Sequence, residues 1–356
     1  MIVRNGKSSV ARALSGAQRH VDEVVVVDTG SIDGTKQITE QFGVRSFDFM
    51  WRDDFSAARN YSLQQATSDW IFWVDADDVL PEASGRELRR LVAAHPHRDA
   101  AFLFSIEEES PGARLRRHTH VRLFPRHPQI RFQYRVHEQV APSIRRLGLP
   151  ILETSIVVRH QSDRSPAAEK ARAERNLRLA LLDFRDRPHD PFIWFTLGST
   201  YLFFPDGLAM AIKFLRKSVA GLTRGSQVQL NAYYYLAEAL SKSGDRQAEE
   251  QICQEALALF PDDVELLMRL GNLCVALGRH DEAVEYYEAL LERGQVRPHA
   301  IQILNRDVDA ALRLGRLYAD MGRGADAERL WQNFLQRNPD PSVRAALEAL
   351  YASSSS

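Results

Sequence analysis

The sequence predicts two domains, an α/β domain with a mostly parallel sheet and then an all-α domain of repeated helix pairs. Short runs of Val, Ile and Trp alternate with helical patterns up to about residue 158, and strand signals then disappear while one helical pattern recurs. The 356 residues also exceed what one hydrophobic core usually serves. The predicted ranges are 1–165 for the α/β domain, 166–190 for a helical linker, 191–352 for the repeats and 353–356 for a disordered tail.

The composition excludes several classes of protein. It is 44% hydrophobic and 26% charged with a formal net charge of -1, so no surplus of Lys and Arg is available for nucleic acid or an anionic membrane. No apolar run approaches the ~20 residues of a transmembrane helix, and the amino-terminal segment lacks the apolar core of a signal peptide. We therefore expect a cytoplasmic protein. Cys253 and Cys274 have no metal-ligand spacing and are expected to be buried, reduced thiols.

Two apolar runs that end in carboxylates define the predicted sheet. The Val run 24–27 ends at Asp28, as is typical of a strand buried on both faces, and WIFWV (70–74) ends at Asp75. A helical pattern, GSIDGTKQITEQFG (30–43), lies between them. In such βαβ order, ligands bind beyond the carboxyl ends of the strands. Four carboxylates are expected at that edge: Asp28, Asp33, Asp75 and Asp77.

The segment Asp75-Ala76-Asp77 places two carboxylates at the end of a strand. Residues two apart in an extended segment point to the same side, so both carboxylates can face one ligand. Mg²⁺ or Mn²⁺ prefers a few carboxylate oxygens together with substrate phosphate. The spacing therefore indicates a divalent cation that bridges to a diphosphate, and a solvated acidic turn is the alternative.

The carboxyl-terminal part contains four related segments, marked by the pairs Leu197-Gly198, Leu236-Ala237, Leu270-Gly271 and Leu314-Gly315. The second members of the middle two pairs are 34 residues apart. This pattern resembles tetratricopeptide repeats, whose helix pairs stack into a superhelix. Glu249 stands where that repeat has a small residue. The repeats would either bind an extended polypeptide segment or form a homodimer.

Three segments in order, VVVVDTGSIDGT, DDFSAARN and WIFWVDADD, resemble family 2 glycosyltransferases of the GT-A fold, particularly bacterial members fused to tetratricopeptide repeats. The resemblance implies a metal-dependent inverting enzyme with Mn²⁺ or Mg²⁺ as cofactor. It implies transfer of a hexose or N-acetylhexosamine from a nucleotide sugar, with UDP as the expected nucleotide. The acceptor would be a peptide, a protein or a saccharide.

The resemblance also implies roles for individual residues. The expected donor-binding residues are Val3, Asn5, Asp28, Asp33, Arg59, Asp75 and Ala76. Asp33 would contact the base, Arg59 the nucleotide and Asp75 the ribose side. Helix capping is the alternative for Asp33, and an ion pair with Asp53 or Asp54 is the alternative for Arg59.

The same resemblance implies the reacting and metal-binding groups. Glu138 is the candidate general base, and His137 would position Glu138 or the substrate. An ion pair of either residue with Arg122, Arg131 or Arg135 is the alternative. Asp77 and His160 are the expected metal ligands, although the turn Gln161-Ser162-Asp163 departs from the family pattern and a solvated His160 is the alternative.

Two other functions are compatible with parts of the sequence. A sugar nucleotidyltransferase would use a similar sheet, but no Gly-rich phosphate loop stands near the amino terminus. A non-catalytic repeat scaffold would not need the intact pair of Asp75 and Asp77. The first strand is short, since only Met1, Ile2 and Val3 precede the polar segment, and a start codon further upstream would account for it.

Overall fold

The computed structural model describes residues 1–110, 114–293 and 302–354. The chain forms two compact units, Met1–Gly207 and Leu208–Ser356. The predicted fold class, α/β followed by all-α, is confirmed. The predicted linker, 166–190, and the first predicted repeat helix lie inside the first unit. The two units divide after Gly207, which is further along the chain than the predicted start of the repeats at residue 191.

The first unit contains eight strands and seven helices among its described residues. The strands are β1 (Ile2–Val3), β2 (Val25–Asp28), β3 (Arg45–Asp48), β4 (Trp70–Phe72), β5 (Asp78–Val79), β6 (Ala101–Ser110), β7 (Arg114–Pro125) and β8 (Ile151–His160). The helices are α1 (Val10–Gln18), α2 (Thr35–Gln41), α3 (Phe55–Gln65), α4 (Glu82–Ala94), α5 (Ala141–Arg146), α6 (Pro166–Asp186) and α7 (Pro191–Tyr201).

Among its described residues, the second unit contains eight helices and one two-residue strand, β9 (Gln302–Ile303). Its helices are α8 (Leu208–Gly221), α9 (Gln227–Ser243), α10 (Arg246–Leu259), α11 (Val264–Ala276), α12 (His280–Arg293), α13 (Arg306–Asp320), α14 (Gly324–Arg337) and α15 (Pro341–Ser354). The predicted disordered tail thus overlaps α15 at Ser353 and Ser354, and Ser355 and Ser356 lie outside the described residues.

The strands of the first unit form two sheets. β1, β2 and β3 are parallel, with Ile2 paired to Val27 and Val25 paired to Arg45. The other sheet contains the path β4-β7-β6-β8-β5, in which β6 and β8 pair in parallel and the other three neighbouring pairs are antiparallel. A parallel bridge between Ile2 and Asp75 brings the first sheet to the segment after β4. The carboxyl ends of β1, β2 and β4 therefore meet at one edge.

Neighbouring residues of the central strands pack into different cores, as the continuous apolar runs predict. Val26 packs with Val10 and Leu14 of α1, whereas Val27 packs with Ala58 of α3. In β4, Ile71 and Phe72 likewise belong to different clusters. Burial on both faces fixes the direction of these strands and hence the position of the carboxylates that follow them.

Close packing explains the small residues of the repeats. A Cβ atom on Gly271 would lie 2.5 Å from the ring of Tyr287, and one on Gly315 would lie 2.2 Å from the ring of Trp331. Gly244 ends α9 with a φ of 79°, a conformation that favours glycine. These contacts join the two helices of a repeat at a distance that a larger residue would prevent.

Glu249 departs from the repeat pattern because it is buried as part of an ion-pair network. Its carboxylate lies 2.9 Å from Arg246 and 2.9 Å from Arg269. Cys253 and Cys274 are buried free thiols, and burial raises the pKa of Cys253 to about 12. In the described part of the chain, no helix is both long enough and apolar enough to cross a membrane.

Candidate active site

Asp28 ends β2 with one carboxylate oxygen engaged and one without a partner. Its Oδ1 accepts hydrogen bonds from the backbone N–H groups of Gly30 (2.8 Å) and Ser31 (2.7 Å). Its Oδ2 is buried and has no hydrogen-bond partner among the described residues. Buried acceptors are nearly always satisfied in folded proteins. The Oδ2 atom is therefore suited to accept an N–H group of a ligand at this edge.

Asp33 is held by its own loop. Its carboxylate accepts from the backbone N–H of Lys7 (3.0 Å) and from the N–H (3.1 Å) and hydroxyl (2.5 Å) of Thr35, the first residue of α2. The hydrogen bond from the Thr35 hydroxyl lowers the pKa of Asp33 from its ordinary value. These contacts fix the turn before α2, whose N-cap residue is Gly34 rather than Asp33, and contact of Asp33 with a base stays a prediction.

The segment after β1 packs against the same loop. The Val3 carbonyl accepts from the backbone N–H of Thr29 (2.9 Å). Asn5 has a φ of 53°, donates its N–H to the Ser31 hydroxyl (2.8 Å), and accepts the N–H of Ile32 at its side-chain oxygen (2.9 Å). Val3 and Asn5 thus fix the loop around Asp28, and their contact with a nucleotide stays a prediction.

Asp75, Asp77 and Asp78, here called the acidic cluster, follow β4 in one tight turn. The Asp78 carboxylate accepts the backbone N–H of Asp75 (2.8 Å), and Ala76 packs against the core that contains Val3. Asp78 is fully buried at its side chain, whereas the side chain of Asp77 is 32% exposed. Asp77 is thus the member of the cluster that is most accessible to a ligand.

Arg59 connects the acidic cluster to Glu138. Its Nη2 lies 2.6 Å from Asp75 Oδ1, and its Nε donates to Glu138 Oε1. Burial by itself would raise the pKa of Asp75, but the charges of Arg59 and Arg122 hold that pKa well below its ordinary range. Arg59 does not pair with Asp53 or Asp54, because Asp53 binds Arg178 and Asp54 caps α3.

Arg122 of β7 is the second buried cation of the site. Its Nη1 lies 3.0 Å from Asp78 and its Nη2 lies 3.5 Å from Asp75. The guanidinium groups of Arg59 and Arg122 both lie over the ring of Trp73, at 4.2 Å and 3.7 Å from its centroid. Such contacts stabilise a cation that has lost its water. The Trp73 indole N–H donates to the carbonyl of Val121 (2.6 Å), which fixes the ring.

His160, the last residue of β8, lies at the other end of the acidic cluster. Its Nδ1 lies 2.9 Å from Asp78 and 3.6 Å from Asp77. Burial opposes a charge on the imidazole, but the hydrogen bond to Asp78 and the nearby carboxylates raise the pKa of His160 to about 9. His160 is thus partly exposed and held by two carboxylates, and its role as a metal ligand stays a prediction.

Seven side chains follow one another in a line of alternating charge. In order of contact they are Glu138, Arg59, Asp75, Arg122, Asp78, His160 and Asp77. Four carboxylates, two guanidinium groups and a protonated imidazole leave one negative charge, and loss of the imidazole proton to a bound metal would leave two. A divalent cation would balance those two charges.

The donor set fits a divalent cation. Asp75, Asp78 and His160 offer ligand atoms that all lie within 4.8 Å of one another. Carboxylate oxygens with one imidazole suit Mn²⁺, and carboxylates suit Mg²⁺. The sequence predicted Asp77 with His160 and did not assign Asp78. Asp77 lies beside the same imidazole but does not belong to this group of three. Its role as a metal ligand stays a prediction.

Glu138 is presented by a loop between β7 and α5. Gln133 and Gln139 close this loop with two backbone hydrogen bonds (3.0 Å and 2.9 Å). His137 lies in the loop with a φ of 53° and is exposed. The predicted ion-pair alternative for Glu138 named the wrong arginines, since its partner is Arg59.

Three contributors to the site were missed from the sequence. Trp73 and Asp78 stand inside the quoted run WIFWVDADD, and Arg122 stands in the Arg-rich segment before Glu138. Asp78 and Arg122 carry a signal in the sequence, because a third carboxylate needs a partner and a buried strand that contains Arg can supply it. The pairing of β4 with β7 is what brings Arg122 to the cluster.

Comparisons with known proteins agree with this architecture. The model of glycosyl transferase family 2 matches residues 1–148, and two tetratricopeptide-repeat models match residues 240–306 and 309–341. A TPR repeat-containing protein of Synechococcus elongatus is 30% identical over 279 residues, which cover 76% of this chain and 67% of that protein. The SPbeta prophage-derived glycosyltransferase SunS of Bacillus subtilis is 25% identical over 221 residues, which cover 62% of this chain.

Among solved structures, the crystal structure of MamA is 23% identical, with a TM-score of 0.39 over 49% of this chain and 95% of MamA. A TM-score and a sequence identity this low indicate nothing about function. The chain spans about half of SunS, since the match covers 52% of that protein. The family matches and the relatives together establish that the chain belongs to the family 2 glycosyltransferases, with tetratricopeptide repeats after the family 2 domain.

Proposed function

We propose that the chain is a metal-dependent inverting glycosyltransferase that moves a hexose or N-acetylhexosamine from a UDP-sugar to a peptide, protein or saccharide acceptor. The observation that carries the proposal is the acidic cluster at the edge where β1, β2 and β4 end, where the carboxylates leave an excess of negative charge even with His160 protonated. A cation held there by Asp75, Asp77, Asp78 and His160 would stabilise the charge that builds on the leaving diphosphate.

The donor would lie along the edge of the first sheet. The free Oδ2 atom of Asp28 supports contact with an N–H group of the base or the ribose hydroxyls. Asn5 and the loop at Asp33 would close over the nucleotide from the neighbouring strand. Arg59 is buried and already holds Asp75, so we assign it the orientation of that carboxylate rather than direct nucleotide contact.

Glu138 would act as the general base. It would take the proton of the acceptor hydroxyl, thiol or amide while the acceptor atom bonds to the anomeric carbon. The bond between that carbon and the diphosphate oxygen breaks on the opposite side, and the nucleoside diphosphate leaves. Since Oε1 of Glu138 is held by Arg59, the proton would go to Oε2. His137 is exposed beside it and would contact the acceptor.

The helical repeats would bind the acceptor. Superhelices of this kind offer extended surfaces to unfolded polypeptide segments, which favours a peptide or protein acceptor. A homodimer through the repeats is the alternative. The chain has no helix in its described ranges that could span a membrane, and we propose that it acts in the cytoplasm.

The test incubates the full chain with Mn²⁺ and a panel of nucleotide sugars and measures free nucleoside diphosphate. We expect release with one class of UDP-sugar, loss of release when the metal is chelated, and a large decrease in the Glu138→Gln variant. Exchange of pyrophosphate instead would indicate a nucleotidyltransferase. If no sugar gave free nucleoside diphosphate or pyrophosphate exchange, the result would contradict the proposal and favour the non-catalytic repeat scaffold.

A further inference from the structure

Arg122 is a buried charge in a place where the sheet is irregular. Phe102 of β6 pairs with Leu123, but Leu103 pairs with Val121, so Arg122 is an extra residue without a partner across the ladder. A bulge of this kind re-aims a side chain and often lies next to a site. The side chain of Arg122 is 3% exposed and points to the acidic cluster.

The contacts of Arg122 use the fork of its guanidinium. One nitrogen lies 3.0 Å from Asp78 and the other lies 3.5 Å from Asp75, while Nη1 also lies 3.4 Å from the carbonyl of Trp73. The planar group stacks over the Trp73 ring at the same time. A lysine could supply the charge, but it has neither the fork nor the flat face.

The burial of Arg122 opposes folding, because a charge loses its water and its Nε has no hydrogen-bond partner among the described residues. What the residue provides is the placement of two carboxylates. Asp75 and Asp78 repel each other, and both supply ligand atoms within 4.8 Å of His160. The guanidinium lies between them and fixes both.

We infer that Arg122 is a positioning residue that holds Asp75 and Asp78 at the separation a divalent cation requires. This inference rests on the cation site of the proposed function. Arg122 is not a catalytic residue, because it acts through the two carboxylates. Residues that orient metal ligands typically change metal affinity by about 10- to 100-fold when they are replaced.

Two other roles for Arg122 predict different results. If it only supplied charge, its removal would leave the site more negative, so that a cation would bind more tightly, and a lysine would be equivalent. If it only stabilised the fold, its replacement would lower the unfolding temperature without a change in cation affinity. Positioning predicts weaker binding whether or not the charge is kept.

The experiment titrates Mn²⁺ alone, by calorimetry, into the full-length wild type and the variants Arg122→Lys and Arg122→Met. Thermal unfolding without metal is measured in parallel. The matched control is Arg117→Met, since Arg117 lies on the same strand and pairs with Glu107 at 2.6 Å. We expect at least ~10-fold weaker Mn²⁺ binding in both Arg122 variants and wild-type affinity in the control.

Tighter binding in Arg122→Met together with wild-type affinity in Arg122→Lys would overturn the inference in favour of charge alone. A lower unfolding temperature with unchanged affinity would overturn it in favour of a structural role. If Arg122→Met does not fold, Arg122→Lys decides, because positioning predicts loss of affinity with the charge present. A wild type that binds no Mn²⁺ would instead overturn the cation site and the metal-dependent function with it.

Discussion

Arg59 Nη2 lies 2.6 Å from Asp75 Oδ1, so a buried ion pair joins α3 to the acidic cluster. The same arginine donates to Glu138. One side chain therefore holds the expected metal-side and acceptor-side carboxylates of the site in one arrangement.

Replacement of Arg59 by Met is expected to lower the free energy of unfolding by about 3–5 kcal/mol, because Asp75 and Glu138 would lose a buried counter-charge. Urea unfolding measures the effect. The control is Arg178→Met, which breaks an exposed pair with Asp53 and should cost about 1 kcal/mol or less. Equal losses of unfolding free energy in the two variants would show that the buried ion pairs of Arg59 contribute no more to stability than the exposed pair of Arg178.

Asp77 and Asp78 are adjacent but are expected to respond differently. Asp77→Asn changes a partly exposed side chain and should alter stability by about 0.5 kcal/mol or less while it abolishes Mn²⁺-dependent release of nucleoside diphosphate. Asp78→Asn removes a fully buried charge that is the nearer carboxylate partner of both Arg122 and His160, and it should cost about 3 kcal/mol or more. Asp69→Asn, an exposed residue before β4, is the control for both. Unchanged release by Asp77→Asn would remove Asp77 from the site.

Gly315→Ala is expected to destabilise the repeats by about 1–3 kcal/mol, because the new Cβ would lie 2.2 Å from the buried ring of Trp331. Gly324→Ala in α14 is the control, since a Cβ there meets no atom within 4 Å. Chemical unfolding of both variants measures the difference. Similar stabilities would mean that the Trp331 ring moves to accept the methyl group.

Acid should destabilise the first unit through His118. Burial lowers the pKa of His118 from 6.5 to about 4. Between those values the unfolded chain binds the proton more readily than the folded chain, so stability falls as the pH decreases through this window. Urea unfolding at several pH values should show a shallower fall in His118→Asn, whereas His97→Asn, an exposed site, should keep the wild-type slope. A wild-type slope in His118→Asn would contradict this.

Local patterns of the sequence predicted the parts of the fold that local packing decides. Val26 and Val27 of the Val run are buried in different cores, and the small residues Gly271 and Gly315 lie against large rings. Asp75, Asp77, Glu138 and His160 were named from motifs, and the structure brings all four into one line of contacts.

The contacts between distant strands were not predictable from those patterns. Arg122 reaches Asp78 because β7 pairs with β4 in one register and contains a bulge, and neither property can be read from residue types alone. The position of Gly207 as the end of the first compact unit could not be read from the sequence for a related reason. Helical spacing in α7 is the same whether that helix packs with the sheet unit or with the repeats.

The central claim is that the carboxylates after β4 hold a cation that in turn holds a nucleoside diphosphate. The most direct measurement is calorimetric titration of UDP into the full chain with Mn²⁺ and after chelation of the metal. The account predicts saturable binding with Mn²⁺ that is lost or greatly weakened after chelation and in Asp77→Asn. Binding of equal strength with and without the metal, or no binding in either condition, would contradict it.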